Sequence, residues 1–234
     1  MIEKYYNGVI EQVAGGIGNV EHNSILVRYS NDFSIWDLES VNHYKDQTDI
    51  FFTCHEFSYN KIAEAYEPYL GLIRQMFHKY CSGTLEEFME ECDVYKLQRP
   101  VFESYFEKGF CERTEQILID EVEYEQERMR NSIVTMLQKL SEIRPVVIVL
   151  NRFQLASKST MQLSNSLLQV KNKNIGIVLG VNDVQSIPEF AHEEWDAICE
   201  SMDDRNMVYH IGNAGRNMEP DVMDYYSDYE SDDG

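Results

Sequence analysis

RPVVIVLNRFQLA, residues Arg144 to Ala156, is the stretch on which the architecture turns. Pro145 stops a helix from running into it, and Val146 to Leu150 is an unbroken aliphatic run, the composition of a parallel strand covered by helices on both faces. It reads as the central strand. Moving outward, strand-forming runs recur at Ser24–Tyr29 (SILVRY), Asp49–Cys54 (DIFFTC), Ile175–Leu179 (IGIVL) and Met207–Ile211 (MVYHI).

The segments between them carry helical spacing. Ser34 is placed to cap a helix through Ile35, Leu38 and Val41. Asn60 to Cys111 repeats apolar residues every three or four positions, with Pro68 expected at a helix start, and Thr114 to Ile143 reads as one long amphipathic helix. Met161, Leu163, Leu167 and Leu168 mark another helix, and Phe190 to Met202 the last. Alternating strands and helices predict a three-layer α/β sandwich with a mostly parallel five-stranded sheet and a helical insertion at about 60–144, between the second and third strands. Residues 1–23 are expected to be a linker, 24–216 the domain and 217–234 an acidic disordered tail.

The chain has 234 residues, 20 Lys plus Arg against 41 Asp plus Glu, and a formal charge of −21. Such a balance argues against nucleic acid or an anionic membrane surface as a partner, since both need clustered cations. The longest apolar run is far short of the roughly 20 residues a membrane span requires, and MIEKYYNGVIEQ lacks the pattern of a secretion signal. Five cysteines, an odd and thinly spread number, suit free thiols in a reducing compartment, so a cytoplasmic location is expected.

Three stretches resemble a known family. RPVVIVLNRFQLA is similar to the Walker B strand of the P-loop ATPase domain in large signalling regulators, the STAND branch related to AAA ATPases. AYEPYLGLIR (65–74) resembles the helix start that follows the second strand in those domains, and NIGIVLGVND (174–183) lies where their sensor strand would be. The resemblance implies a P-loop NTPase-like fold over about residues 20–212, with ATP and Mg²⁺ as the family's ligands.

The motif positions depart from that family. G-x-x-x-x-G-K-[ST] laid on ILVRYSNDFSIWDLE puts Arg28 and Phe33 at the glycines, Ser34 at the lysine and Ile35 at the hydroxyl, with Ser30 inside the loop. A working loop needs glycines so that N–H groups approach the phosphates, Lys to neutralise them and a hydroxyl for Mg²⁺. Asn151 and Arg152 stand where the metal-linked carboxylate and its acidic neighbour belong; Asn carries no charge and Arg does not act as a base near neutral pH. The expectation is an ATPase-like domain without hydrolysis, with no resident cofactor, serving as a regulatory or scaffolding module toward a protein partner or neighbouring domains. The competing expectation is an ATP-binding or weakly hydrolysing domain with an unusual loop, in which Arg28 or Arg152 supplies positive charge.

Other constellations read more plainly. Gly15, Gly16 and Gly18 precede a strand rather than follow one, so they make a lead-in loop and not a dinucleotide fingerprint. His78, Cys81, Cys92 and Cys111 lack the close paired spacing of a zinc site. Glu86, Glu87, Glu90 and Glu91 are one solvated helix face, no G-x-S-x-G elbow exists for a hydrolase, and Trp36 and Trp195 are expected in the core. Tyr225, Tyr226 and Tyr229 among the tail carboxylates suit either plain solubilising disorder or a partner-binding segment.

Overall fold

The computed structural model describes residues 2–19, 23–30, 33–47, 49–61, 63–109, 122–184, 187–203 and 208–211. Its strands are β1 (Ser24–Tyr29), β2 (Phe51–Glu56), β3 (Val146–Asn151), β4 (Ile175–Asn182) and the short β5 (Val208–Ile211). Its helices are α1 (Ile2–Gly15), α2 (Glu39–Lys45), α3 (Tyr69–Tyr80), α4 (Leu85–Glu91), α5 (Arg99–Lys108), α6 (Val122–Ile143), α7 (Lys158–Val170) and α8 (His192–Asp203).

The strands are parallel throughout and lie in the order β2-β3-β4-β1-β5. That order differs from both common doubly wound arrangements, 3-2-1-4-5-6 and 2-1-3-4-5. The central strand is therefore β4, not the expected β3, although every residue of both is buried. β2 forms one edge and is half-buried along its whole length.

Side-chain alternation assigns the helices to two layers. Phe52 of β2 stacks on Tyr44 of α2, with centroids 5.7 Å apart, while the adjacent Phe51 meets Tyr80 of α3 on the opposite face. α1 lies on the α2 face, directly over β4. A Cβ added at Gly176 would come within 2.7 Å of Val13 Cγ1, and one at Gly180 would collide with the Tyr6 hydroxyl. Two glycines four apart on one face of β4 thus remove the side chains that would hold α1 away. The other face is covered by α3, α6, α7 and α8, which pack on one another in that sequence.

The expected linker is overturned by α1. Tyr6, Val9, Ile10, Val13 and Ala14 recur at helical spacing and are buried in the core, where each larger one contributes about 1.5–3 kcal/mol of burial. The helix ends where Gly16 N–H bonds back to Gln12 O, and Gly18, at φ 97°, makes the turn toward β1.

Boundaries elsewhere shift for local reasons. Ser34 caps a short 3-10 turn, Ile35–Asp37, and α2 begins only at Glu39. This turn directs Ile35 and Leu38 inward and leaves Trp36 45% exposed, so Trp36 does not belong to the core; Trp195 does. The insertion comprises α3, α4 and α5 followed by α6. Pro68 caps α3, and Thr84 and Glu87 close a reciprocal capping box on α4, whose four glutamates face solvent. The expected helix at 114–143 is seen from Val122 onward. Residues 110–121 and the tail 217–234 lie outside the described residues. No helix among the described residues is long and apolar enough to cross a membrane.

Candidate functional site

In open parallel sheets ligands bind outside the carboxyl ends of the strands, where neighbouring strands send their following helices to opposite faces. Here that place is between β1 and β4. β1 leads into α2 on one face, β4 leads into α8 on the other, and their last residues, Tyr29 and Asn182, are register partners.

Side chains fill this end of the sheet on the α1 face. Tyr6, Tyr29 and Phe33 form a triangle of edge-to-face rings, with centroids 6.3, 5.1 and 5.0 Å apart. Tyr29 Oη donates a 2.7 Å hydrogen bond to Asn151 Oδ1 at the end of β3, and Asn151 Nδ2 donates at 3.0 Å to Glu56 Oε1 at the end of β2. Asn151 is fully buried. The Tyr6 hydroxyl is buried with no hydrogen-bond partner among the described residues, and its pKa is pushed well above the ordinary value by burial, then by Tyr29, Glu56 and Cys54 nearby. Burial likewise pushes the Cys54 thiol up to about 11, against the opposing pull of Lys45.

Arg152 follows Asn151 in a left-handed conformation, φ 54°, which turns the chain out of β3 and brings its Nε to 3.8 Å from Glu56 Oε1. Beyond it, Gln154 is fully buried and its Oε1 accepts the Asn182 N–H at 3.3 Å. Arg28 lies one residue before Tyr29, so alternation sends it to the opposite face, where its Nε pairs with Asp183 Oδ1 at 2.7 Å. The Asp183 N–H also bonds Tyr29 O, closing the gap between β1 and β4.

The positions singled out from sequence are therefore divided. Phe33 and Asn151 meet through Tyr29, and Arg152 joins them through Glu56. Arg28 stands on the other face. Ser34 Oγ accepts the Trp36 N–H at 3.3 Å, Ile35 is fully buried, and Ser30 Oγ is buried without a hydrogen-bond partner among the described residues.

Four contributors were not singled out: Tyr6, Tyr29, Glu56 and Asn7. The Asn7 side chain accepts hydrogen bonds from both the Ser40 N–H, at 3.0 Å, and the Ser40 hydroxyl, at 2.6 Å. It thereby caps the start of α2, the helix that follows β1. The signal for Tyr6 and Asn7 was the helical spacing of Tyr6, Val9, Ile10 and Val13; for Tyr29 and Glu56 it was their places at strand ends.

Among the described residues no group of three or more His, Cys, Asp and Glu is arranged to hold a metal ion. His78, Cys81 and Cys92 belong to the insertion, and Cys111 lies outside the described residues. Cys54, Cys81, Cys92 and Cys199 form no disulfide. Comparisons with protein-family models, with curated proteins and with solved structures return no match for this chain.

Proposed function

We propose that this chain is a P-loop ATPase-like domain that has exchanged its nucleotide for an internal plug, and that it serves as a regulatory or scaffolding module of a signalling protein. The observation that carries the reading is the contact of Phe33 with Tyr6 and Tyr29 at the switch point between β1 and β4. A phosphate-binding loop needs its backbone N–H groups aimed into an anion-sized hollow. At this point of the fold, three rings stand instead.

Two further features support the same reading. The helix that follows β1 would offer its N-terminal N–H groups to phosphate, yet Asn7 of α1 accepts the Ser40 N–H there. Asn151 stands at the end of β3 as a neutral side chain, committed to Tyr29 and Glu56. The residues present do not fit ATP with Mg²⁺, and no catalytic step is assigned. α1 supplies both Tyr6 and Asn7, so the segment N-terminal to β1 is the plug.

With nucleotide replaced by protein side chains, such a domain would hold one conformation and offer surfaces to a protein partner or to neighbouring domains. The ATP-binding alternative draws its phosphate charge from Arg28 or Arg152, but Arg28 is paired with Asp183 and Arg152 lies beside Glu56.

The test is the thermal midpoint of the full chain with millimolar ATP or ADP, with and without Mg²⁺. A ligand present at about 100 times its Kd adds about 2.7 kcal/mol of stability, which for a chain of this size is a rise of about 5–10 °C. No rise with any nucleotide is expected. A Mg²⁺-dependent rise of that size would overturn the plug.

A further inference from the structure

A second feature lies at the opposite corner of the molecule. In a chain of net charge −21, a cleft of about 600 Å³ between the end of α2, the start of β2 and α3 is lined by Lys45, Arg74, His78 and Lys79 and by no carboxylate among the described residues. Lys45 Nζ rests 4.8 Å from the Trp36 ring centroid, and Lys79 Nζ lies 5.7 and 5.3 Å from those of Phe51 and Tyr80. Both ammonium groups are thus held over aromatic faces, on side chains that are exposed. Arg74 is fixed by donating through Nε to Phe106 O at 2.8 Å.

The cleft runs beside a sheet edge. Phe51 N–H donates to Pro145 O and Phe57 N–H to Asn151 O, so the alternate residues Phe52, Cys54 and Glu56 turn their backbone groups away from β3. No strand among the described residues pairs with that side of β2. An unpaired edge next to a positive, aromatic-lined cleft suits an extended acidic peptide with aromatic side chains.

We propose that the occupant is the segment Asp224–Asp233 of this same chain. DYYSDYESDD carries five carboxylates and three tyrosines, and no Lys or Arg follows Arg216. Its carboxylates meet Lys45 and Lys79, its tyrosines pack on the aromatic lining, and its backbone runs along β2. The reach suffices. From Ile211 to Asp224, 13 residues extend over about 45 Å, against roughly 20 Å across five strands and a similar distance down the length of one. The cleft lies at the start of β2 and on its outer edge, whereas the plug lies within the sheet at the carboxyl ends of the strands and reaches β2 only through the Glu56 side chain.

Zero-length carbodiimide cross-linking of the full chain at low salt, followed by peptide mapping, tests it. The expected result is that carboxylates of 224–233 are joined to Lys45 and Lys79 within the monomer band. The yield should fall several-fold at about 0.5 M salt, where the screening length drops to about 4 Å. Links spread without preference to the exposed Lys171 and Lys173 would overturn the proposal, and so would links confined to a dimer band. As a second readout, acrylamide quenching of the exposed Trp36 should increase when Asp228, Glu230, Asp232 and Asp233 are replaced by their amides. Unchanged quenching would count against docking at this cleft.

Discussion

Tyr29 and Asn151 share a 2.7 Å hydrogen bond although their strands are not neighbours: β4 lies between β1 and β3, and the bond passes over it at Gly180. The absence of a side chain at one position of the central strand therefore lets the ends of β1, β3 and, through Glu56, β2 be tied together. Tyr6 reaches the same spot from α1. A single glycine is the seat of the whole polar and aromatic cluster.

Gly180→Ala tests that dependence. The new methyl would lie 2.6 Å from Asn151 Oδ1 and closer still to the Tyr6 hydroxyl, so α1 and the Tyr29–Asn151 bond must both move. Overpacking of this kind costs about 1–3 kcal/mol. Urea unfolding of G180A should show that loss, and a midpoint equal to wild type would mean that α1 does not rest on β4.

Tyr29→Phe and Tyr6→Phe should behave oppositely, although both remove one buried hydroxyl. Tyr29→Phe leaves Asn151 Oδ1 without its donor and should cost about 1–3 kcal/mol, whereas Tyr6→Phe removes a hydroxyl with no partner among the described residues and should be neutral or stabilising. The comparison is made by denaturant midpoints at one pH.

Asn151→Asp places a carboxylate at the buried end of β3 and should weaken the fold. The introduced carboxylate, when charged, would be buried within hydrogen-bond reach of Glu56, a penalty of about 3–5 kcal/mol near neutral pH. Burial and the like charge both raise its folded pKa above the unfolded value. Stability of N151D relative to wild type should therefore recover as pH falls through that folded pKa and be lost as pH rises. Nucleotide with Mg²⁺ should give N151D no added thermal stability, because Phe33 still packs against Tyr6 and Tyr29 beside it.

The strands were legible because each is a compact apolar run, and β3 and β4 stayed so by being buried on both faces. α1 was not. Its stripe of Tyr6, Val9, Ile10 and Val13 is present in the sequence, but a polar opposite face and the glycines at 15, 16 and 18 made the segment look like a lead-in. Trp36 departs from the core position its apolar neighbours suggest because a 3-10 turn, not an α-helix, follows Ser34 and rotates it outward. At the site, Phe33 and Asn151 stood out as motif failures. Their partnership with Tyr6, Tyr29 and Glu56 depends on β4 lying between β1 and β3, a fact of topology that no local spacing encodes.

His55 gives the chain a pH-dependent element outside the plug. At the end of β2 it packs edge-on to Phe57, with centroids 4.6 Å apart, and lies 4.0 Å from Glu67. Burial lowers its pKa below 6.5; Glu67 pulls it back up in part, and Lys61 lowers it further. With the folded pKa depressed, the unfolded chain binds the proton first, so stability should fall as pH drops from about 6.5 toward the folded pKa and then level off. Glu67 adds a second window. Burial raises its pKa, but the Lys61 ammonium, the Glu64 N–H and His55 together more than offset this and hold it below 4.5, so its contribution is lost as pH falls below that value. Unfolding free energy measured across pH should therefore decline in two steps. His55→Asn should remove the upper step and leave the lower one; an unchanged upper step would show that another group titrates there.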